Sequence, residues 1–533
     1  MPTHLRIVIL RPCAFSGIFH DGGGDEMPPQ KRLNEALSLI LDDPEAHERS
    51  SRRKKRGDGH ERWHGTAAAY PDNWEELGYV EYFYRRDTIL VRTEDLDVVL
   101  DALREEPPDE QTASKRRDDV GPIIPADVAI DRLPVIDGVT GLVWRYGRTF
   151  AAATRPGKYG GDQLGGTYDG RHDDHDALST PTVLRRLDEV LGVGKATPDH
   201  ALSLCGNGHP CPATEPAEVP SHSMSPVPPV SNGICCGKHG WDGHEVIVGV
   251  VDGGLLEDAP KRWPWMAGVC GDPEVPFGGP QGHIQPYSCH GTFVAGCVRC
   301  TAPKAKVCVK KAEYIDHRPC AGMAYEHEII AKMSDLLDLG ADIIVCEFDG
   351  FTRFHRPMHT FTAFYDKRLR YLNAVVLAPA GNDTTQLPTF PGAYSWVIGV
   401  GALSADGNGR ADFSNYGGWV DVYAPGEDLV NAFAVGDYTC VEEPHVNEQR
   451  HFAGIANWSG TSFSTPLVAG MIAARMSATG ENAPQAAEAL LRLARSQAVA
   501  GVGPVLLPHQ VCGTPREPCR AGCDCACGCR VLS

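Results

Sequence analysis

Five short apolar runs beyond residue 245 restrict the fold more than any other feature: "VIVGVV" (246–251), "AKVCV" (305–309), "DIIVCEF" (342–348), "AVVLA" (374–378) and "WVIGVG" (396–401). They are mostly unalternated, so strands built from them are apolar on both faces and need cover on both. Between the second and the third, "AYEHEIIAKMSDLLDLG" sets Ile329, Ile330, Met333, Leu336 and Leu337 on one helical face. Alternating strand and helix signals predict an α/β domain with a mostly parallel sheet. In such sheets chemistry collects beyond the carboxyl ends of the strands.

Upstream the pattern differs. Residues 1–65 read as a polar, mobile segment that includes the basic run "RRKKR" at 52–56. Over 66–205, "YVEYFYRRDTILVRTEDLDVVLDALREE" predicts two short strands and a helix capped by Thr93, with Glu94 and Asp95 at the positive end of its dipole. "STPTVLRRLDEVLGVG" predicts a second helix with Thr180 as cap, Pro181 at its first position and Gly192 as stop, followed by the strand-like "HALSLC". Together these make a small α+β region. Pro, Ser and Gly crowd 206–240, which reads as an extended, accessible linker. The α/β domain then covers 241–505, and a cysteine-rich tail occupies 506–533.

Composition narrows the partners. A formal net charge of −19 lacks the basic face of a general nucleic-acid binder. No stretch approaches the twenty or so apolar residues of a membrane span. The apolar run "IVIL" near the start is cut by Arg11 and Pro12, too short for a secretory core, so no export signal is expected. Nineteen cysteines in a chain of 533 residues do not resemble a compact disulfide scaffold. A reducing, cytoplasmic compartment is the expectation.

Four polar residues fall where the sheet rule puts a site. "VIVGVVDGG" ends its strand in Asp252, and "SCHGTFVAGCV" carries His290 ahead of a helix-like run. "AVVLAPAGND" ends in Asn382, and "NWSGTSFSTPLVAGMIAARM" sets Ser462 at the start of an apolar helix. Singly, these read as a turn, a structural histidine, turn chemistry and a helix cap. Jointly they supply a nucleophile, a base, a carboxylate to orient the base, and an amide for an oxyanion. The order Asp, His, Asn, Ser is one of the chain orders known for such a triad.

The blocks "VVDGG", "HGTFVAG", "APAGND" and "GTSFSTPLVAG" resemble the four signature segments of subtilisin-like serine proteases (subtilases, peptidase family S8), and the likeness covers about 241–500. "FPGAYSWVIGVGAL" and "FSNYGGWVDVYAPG" are similar to stretches that follow the oxyanion Asn in that family. The resemblance implies a three-layer domain and an endopeptidase acting on protein or peptide substrates without a cofactor. It implies that Asp252 orients, His290 is the base, Ser462 attacks, and Asn382 completes the oxyanion hole with the Ser462 backbone N–H. It also implies an inhibitory, self-cleaved N-terminal region, released within about 205–240. Structural calcium is common in the family, but no calcium loop is matched here.

Departures from the family pattern are Gly253, where Ser or Thr is usual, Phe293, where a second His is common, and "CEFDG" at 346–350 in place of an "SLGG"-like substrate strand. The substrate-binding candidates are therefore Glu347, Phe348, Asp349, Gly350 and Gly381. The two carboxylates suggest a preference for basic side chains near the cut.

Two clusters stand apart. "YDGRHDDHDAL" gathers His172, Asp173, Asp174, His175 and Asp176, either a solvated acidic loop or donors for a divalent cation. In the tail, Cys512, Cys519, Cys523, Cys525, Cys527 and Cys529 offer thiolates for a soft metal but lack the paired spacing of a structural zinc site. The whole chain admits two other readings: a non-catalytic binding protein on the same fold, and a metal or redox module in the tail.

Overall fold

Strand and helix alternate from residue 247 onward as the apolar runs predict. A seven-stranded sheet runs in the order Val422–Pro425, Val397–Leu403, Val375–Pro379, Ile343–Cys346, Ile247–Asp252, Lys306–Lys311, Cys270–Gly271. Every pairing in it is parallel. The computed structural model describes residues 82–104, 122–144, 178–204, 213–219, 241–278, 282–312, 322–442 and 444–511, all within one compact unit, Gly57–Ser533. The expectations for 1–65, for most of 206–240, for the cluster at 172–176 and for the cysteines beyond 511 lie outside the described residues.

Why the runs carry no alternation is visible in the packing. Val248, Val250, Ile343 and Val345 face one core, which the helices His290–Thr301, Thr461–Thr479 and Ala483–Ser496 cover. Val251, Ile344 and Cys346 face the other, under Glu326–Asp338 and His359–Lys367. All five apolar residues of the first helix read from sequence are buried, and Leu336 lies so close over Gly249 that a Cβ there would sit 2.7 Å from its methyl carbon. Burying one such side chain contributes about 2–3 kcal/mol.

Thr461–Thr479 is the helix buried all round: every residue from Thr461 to Ala474 is inaccessible. Its sequence has no polar face because it runs beneath the sheet, against His290–Thr301 and the strands Val375–Pro379, Val397–Leu403 and Val422–Pro425. Its first turn therefore points at the strand ends from the interior. Among the described residues no helix is long and apolar enough to cross a membrane, and no group of three or more His, Cys, Asp or Glu could hold a metal ion.

The upstream residues form a five-stranded sheet in the order Met323–Tyr325, Ala196–Ser203, Phe83–Arg92, Val139–Val143, Asp131–Ile136, antiparallel throughout. Leu96–Arg104 and Thr180–Leu191 cover one face of it. Three details differ from expectation. The two strands read at 79–92 are one strand, whose alternation is broken by a register shift around Asp87, at φ 48°. Thr93 opens a 3-10 turn and caps nothing, and the later helix is capped one residue earlier than expected, by Ser179, whose hydroxyl accepts from Thr182 N–H. The outer strand, Met323–Tyr325, comes from the α/β half of the chain.

Candidate active site

Three adjacent parallel strands end on the same side. Ile247–Asp252 delivers Asp252, Ile343–Cys346 leads into Glu347, and Val375–Pro379 leads into Gly381 and Asn382. A crevice beyond neighbouring strand ends is the expected place for chemistry.

His290 opens its helix because Cys289 before it is held in a left-handed turn (φ 70°), with its N–H donated to the buried Glu274 carboxylate at 2.9 and 3.1 Å. Burial pushes the Glu274 carboxyl up from its ordinary pKa, against the pull of that N–H. A 2.8 Å hydrogen bond joins His290 Nδ1 to Asp252 Oδ2, both side chains being inaccessible to solvent. Asp252 Oδ1 accepts from the N–H of Gly253. Gly291 must be a glycine here, since a Cβ would strike Asp252 and the carbonyl of Gly254. The other edge of the imidazole packs on Trp458 and Phe463, with ring centroids 5.7 and 5.3 Å away. Phe293 belongs to the same aromatic cluster, 4.4 Å from Phe463, so the residue that departs from the family pattern is core. The imidazole is fixed by one carboxylate and two rings.

Ser462 is the second residue of its helix and 1% exposed. It caps nothing: the helix start has no side-chain cap, and the Ser462 hydroxyl donates instead to the carbonyl of Leu204 at 3.4 Å. His290 Nε2 has no hydrogen-bond partner in this arrangement. Asn382 turns its oxygen toward the helix, where Oδ1 accepts from the N–H of Thr461 at 2.9 Å and from its hydroxyl at 3.0 Å. That leaves its amide N–H groups for the space beside Ser462. Asn415, which sequence reasoning passed over inside "FSNYGG", holds this loop. Its amide donates to Ala380 O, its carbonyl oxygen accepts from Asp383 and Thr385 N–H, and its own N–H binds Gly381 O. Gly381 has φ 93° and sits against Asp349 and Asn415, where a side chain would not fit.

The substrate-binding candidates line the approach. Ser203 and Asp349 exchange backbone hydrogen bonds at 2.9 and 2.8 Å, and Gly350 does the same with Phe390. Phe348 is fully buried in the core beneath. Glu347 is 0% exposed, and neither of its carboxyl oxygens has a hydrogen-bond partner. Burial raises its pKa well above the ordinary value, the Asp252 charge adds to that, and the nearby Ser462 hydroxyl opposes it.

The chain's own upstream residues dock at two places, beside Ser462 and along the strand that leads to its helix, a feature no local signal announced. On one side, the strand Ala196–Ser203 runs between Phe83–Arg92 and Met323–Tyr325 and ends beside Asp349, with Leu202 and Leu204 buried. On the other, residues 213–219 lie antiparallel along Gln449–Trp458, with Ala213 N–H donated to Ser459 O and Glu215 accepting from Tyr438 and Val441. This part of the stretch read as an accessible linker is docked.

A parallel sheet with helices packed on both faces defines the class of the subtilisin-like fold. A sequence profile of the subtilase family matches residues 243–502, just under half of the chain. Over that segment the chain is similar to the subtilase family. A thermophilic serine proteinase from Bacillus sp. (strain AK1) is 31% identical over 36% of this chain and 43% of its own length. An intracellular serine protease from Paenibacillus polymyxa is 29% identical over 43% of this chain and 66% of its own. The matches thus span about half to two thirds of the length of these curated relatives. Among solved structures, fervidolysin from Fervidobacterium pennivorans, a keratinolytic enzyme related to subtilisin, is 16% identical with a TM-score of 0.48, covering 81% of this chain and 61% of that one.

Proposed function

We propose that the protein is a serine endopeptidase that cuts protein or peptide substrates through an acyl-enzyme. The observation that carries this reading is the buried Asp252–His290 pair at 2.8 Å, beside a serine at the start of an interior helix. In the reaction Ser462 Oγ attacks the scissile carbonyl as His290 Nε2 takes its proton. Asp252 holds the imidazole by Nδ1 and stabilises the cation that forms. The oxyanion is received by the Asn382 amide and the Ser462 N–H, where the positive end of the helix dipole also acts. His290 then returns its proton to the leaving amine, and water, activated by the same imidazole, hydrolyses the Ser462 ester. These side chains supply every proton the chemistry needs, so it runs without a cofactor.

The Ser462–Leu204 contact supports a finer reading: the region upstream of 205 is an inhibitor in place, made as part of a self-processing zymogen. Cleavage follows Leu204 at once or one residue later, giving a new N-terminus at Cys205 or Gly206. Purified wild type and Ser462→Ala test both readings together. The variant should lose roughly a million-fold in turnover of an unstructured protein, the loss known for subtilisin's own serine. It should also stay full length, while the wild type shows the new N-terminus by mass spectrometry. Equal inertness of both proteins, even after mild cutting of 205–240, would overturn the endopeptidase reading; a different N-terminus would overturn the processing site alone.

A further inference from the structure

The strand that ends in the cleft fixes a register for whatever replaces it. Ser203 stands opposite Asp349 in an antiparallel pair, so a substrate strand continued two residues further stands opposite Glu347. Opposed residues of such a pair project their side chains to the same face, and Glu347 and Asp349, two apart, share that face. The side chains of the neighbouring substrate residues turn the other way, into the apolar core where Leu202 and Leu204 are buried.

The ionisable groups on this wall are all acidic. Glu347 is fully buried with both carboxyl oxygens unbonded, and the charged groups that act on it are Asp252 and Asp349. Asp349 lies against Gly381, next to the candidate oxyanion Asn382. A buried carboxylate without a partner is costly, and a cation brought in by the substrate offsets that cost while satisfying the orphaned oxygens. The residue that follows Leu204 in the sequence, Cys205, carries no charge. The chain's inhibitory segment therefore supplies backbone pairing and apolar side chains but not the cation.

On the endopeptidase reading above, we propose that Glu347 and Asp349 select substrates with Arg or Lys opposite Glu347, at the residue whose carbonyl is attacked, with apolar residues one and three positions before it. Arg is favoured over Lys, because a planar guanidinium can bond two carboxylate oxygens at once.

The test uses the processed full-chain protein, a fluorophosphonate that labels an activated serine whatever the substrate, and two fluorogenic peptides. These are Leu-Ser-Leu-Arg and Leu-Ser-Leu-norleucine, each joined to the fluorophore at its last residue. The arginine peptide should show a kcat/KM at least 100-fold higher. Glu347→Gln and Asp349→Asn should each shrink that ratio, Glu347→Gln to within a few-fold of one; a ratio within one variant cancels general damage to the site. Labelling by the fluorophosphonate together with equal or better cleavage of the norleucine peptide overturns the inference and leaves the endopeptidase reading intact. An arginine preference unmoved by either substitution removes these carboxylates from the role. Absence of both labelling and cleavage defeats the endopeptidase reading, and the inference with it.

Discussion

The two docked upstream stretches, one ending beside Ser462 and one along the strand that leads to its helix, are held in different ways. Ala196–Ser203 is bound like core. It has backbone partners along both edges, and its polar residues Asp199 and His200 are buried against the helix Glu326–Asp338. His200 Nδ1 lies 2.7 Å from Glu326 and Asp199 lies 2.7 Å from His327, while Thr360 donates to the second Glu326 oxygen. Residues 213–219 are bound like a tether. They have one edge, a few backbone bonds such as Ala217 N–H to Asn457 O at 2.8 Å, a side-chain bond from Trp458 Nε1 to Thr214 O at 2.6 Å, and buried residues only at Glu215 and Pro216. Side-chain burial makes a clamp; backbone pairing along one edge makes an attachment. A cut between them would separate a tightly fitted inhibitor from a loosely fitted new N-terminus.

That contrast can be broken at its strong end. Glu326→Ala removes the shared partner of His200 and Thr360 and leaves both polar groups buried, a loss of about 3 kcal/mol. After cleavage the N-terminal fragment should then part from the catalytic portion on gel filtration at concentrations where the wild-type pair co-elutes. Glu215→Ala probes the weak end. It removes the acceptor that the Tyr438 hydroxyl and the Val441 N–H share, for about 1–3 kcal/mol, and hydrogen exchange should rise along 213–219 and 449–458 without freeing the N-terminal fragment. If Glu215→Ala released the fragment and Glu326→Ala did not, the assignment of clamp and tether would be reversed.

The smallest effect is a pH dependence confined to the clamp. Burial lowers the His327 pKa, but the Asp199 carboxylate beside it outweighs this, aided by Glu328 and opposed by Arg85, and the net shift is upward. A histidine whose folded pKa is raised contributes stability that is complete below its unfolded value near 6.5 and is lost as pH rises through the folded one. Retention of the cleaved fragment should therefore weaken from about pH 6 toward alkaline pH, and Asp199→Asn should flatten that slope. A slope unchanged in that variant would move the titration to another group.

The strands and the four candidate site residues were legible because their signals are local. An unbroken apolar run records two covered faces, and Asp252, His290, Asn382 and Ser462 each stand at a strand end or helix start. The features that escaped reading depend on partners far along the chain. Leu204 meets Ser462, Asn415 braces Gly381, and Met323–Tyr325 completes a sheet begun at Phe83, none of which leaves a periodic trace. The docking of 213–219 was hidden for the same reason, since Pro and Ser describe a backbone that forms no element of its own but says nothing of a neighbouring edge. The break within a strand at Asp87 shows the converse: one left-handed residue made a continuous element look like two.

The loan of Met323–Tyr325 to the upstream sheet bears on the fate of the two pieces after cleavage. Each half of the molecule seals an open strand edge of the other while they are joined. Once parted, the fragment carries Ala196–Ser203 as a bare strand edge, the kind that recruits other chains or proteases. The enzyme keeps the matching slot, lined by Gly322 and Asp349, for the next extended peptide. On the maturation proposed above, departure would act as a ratchet: the fragment would leave with an exposed edge, and the vacated groove would be open to substrate.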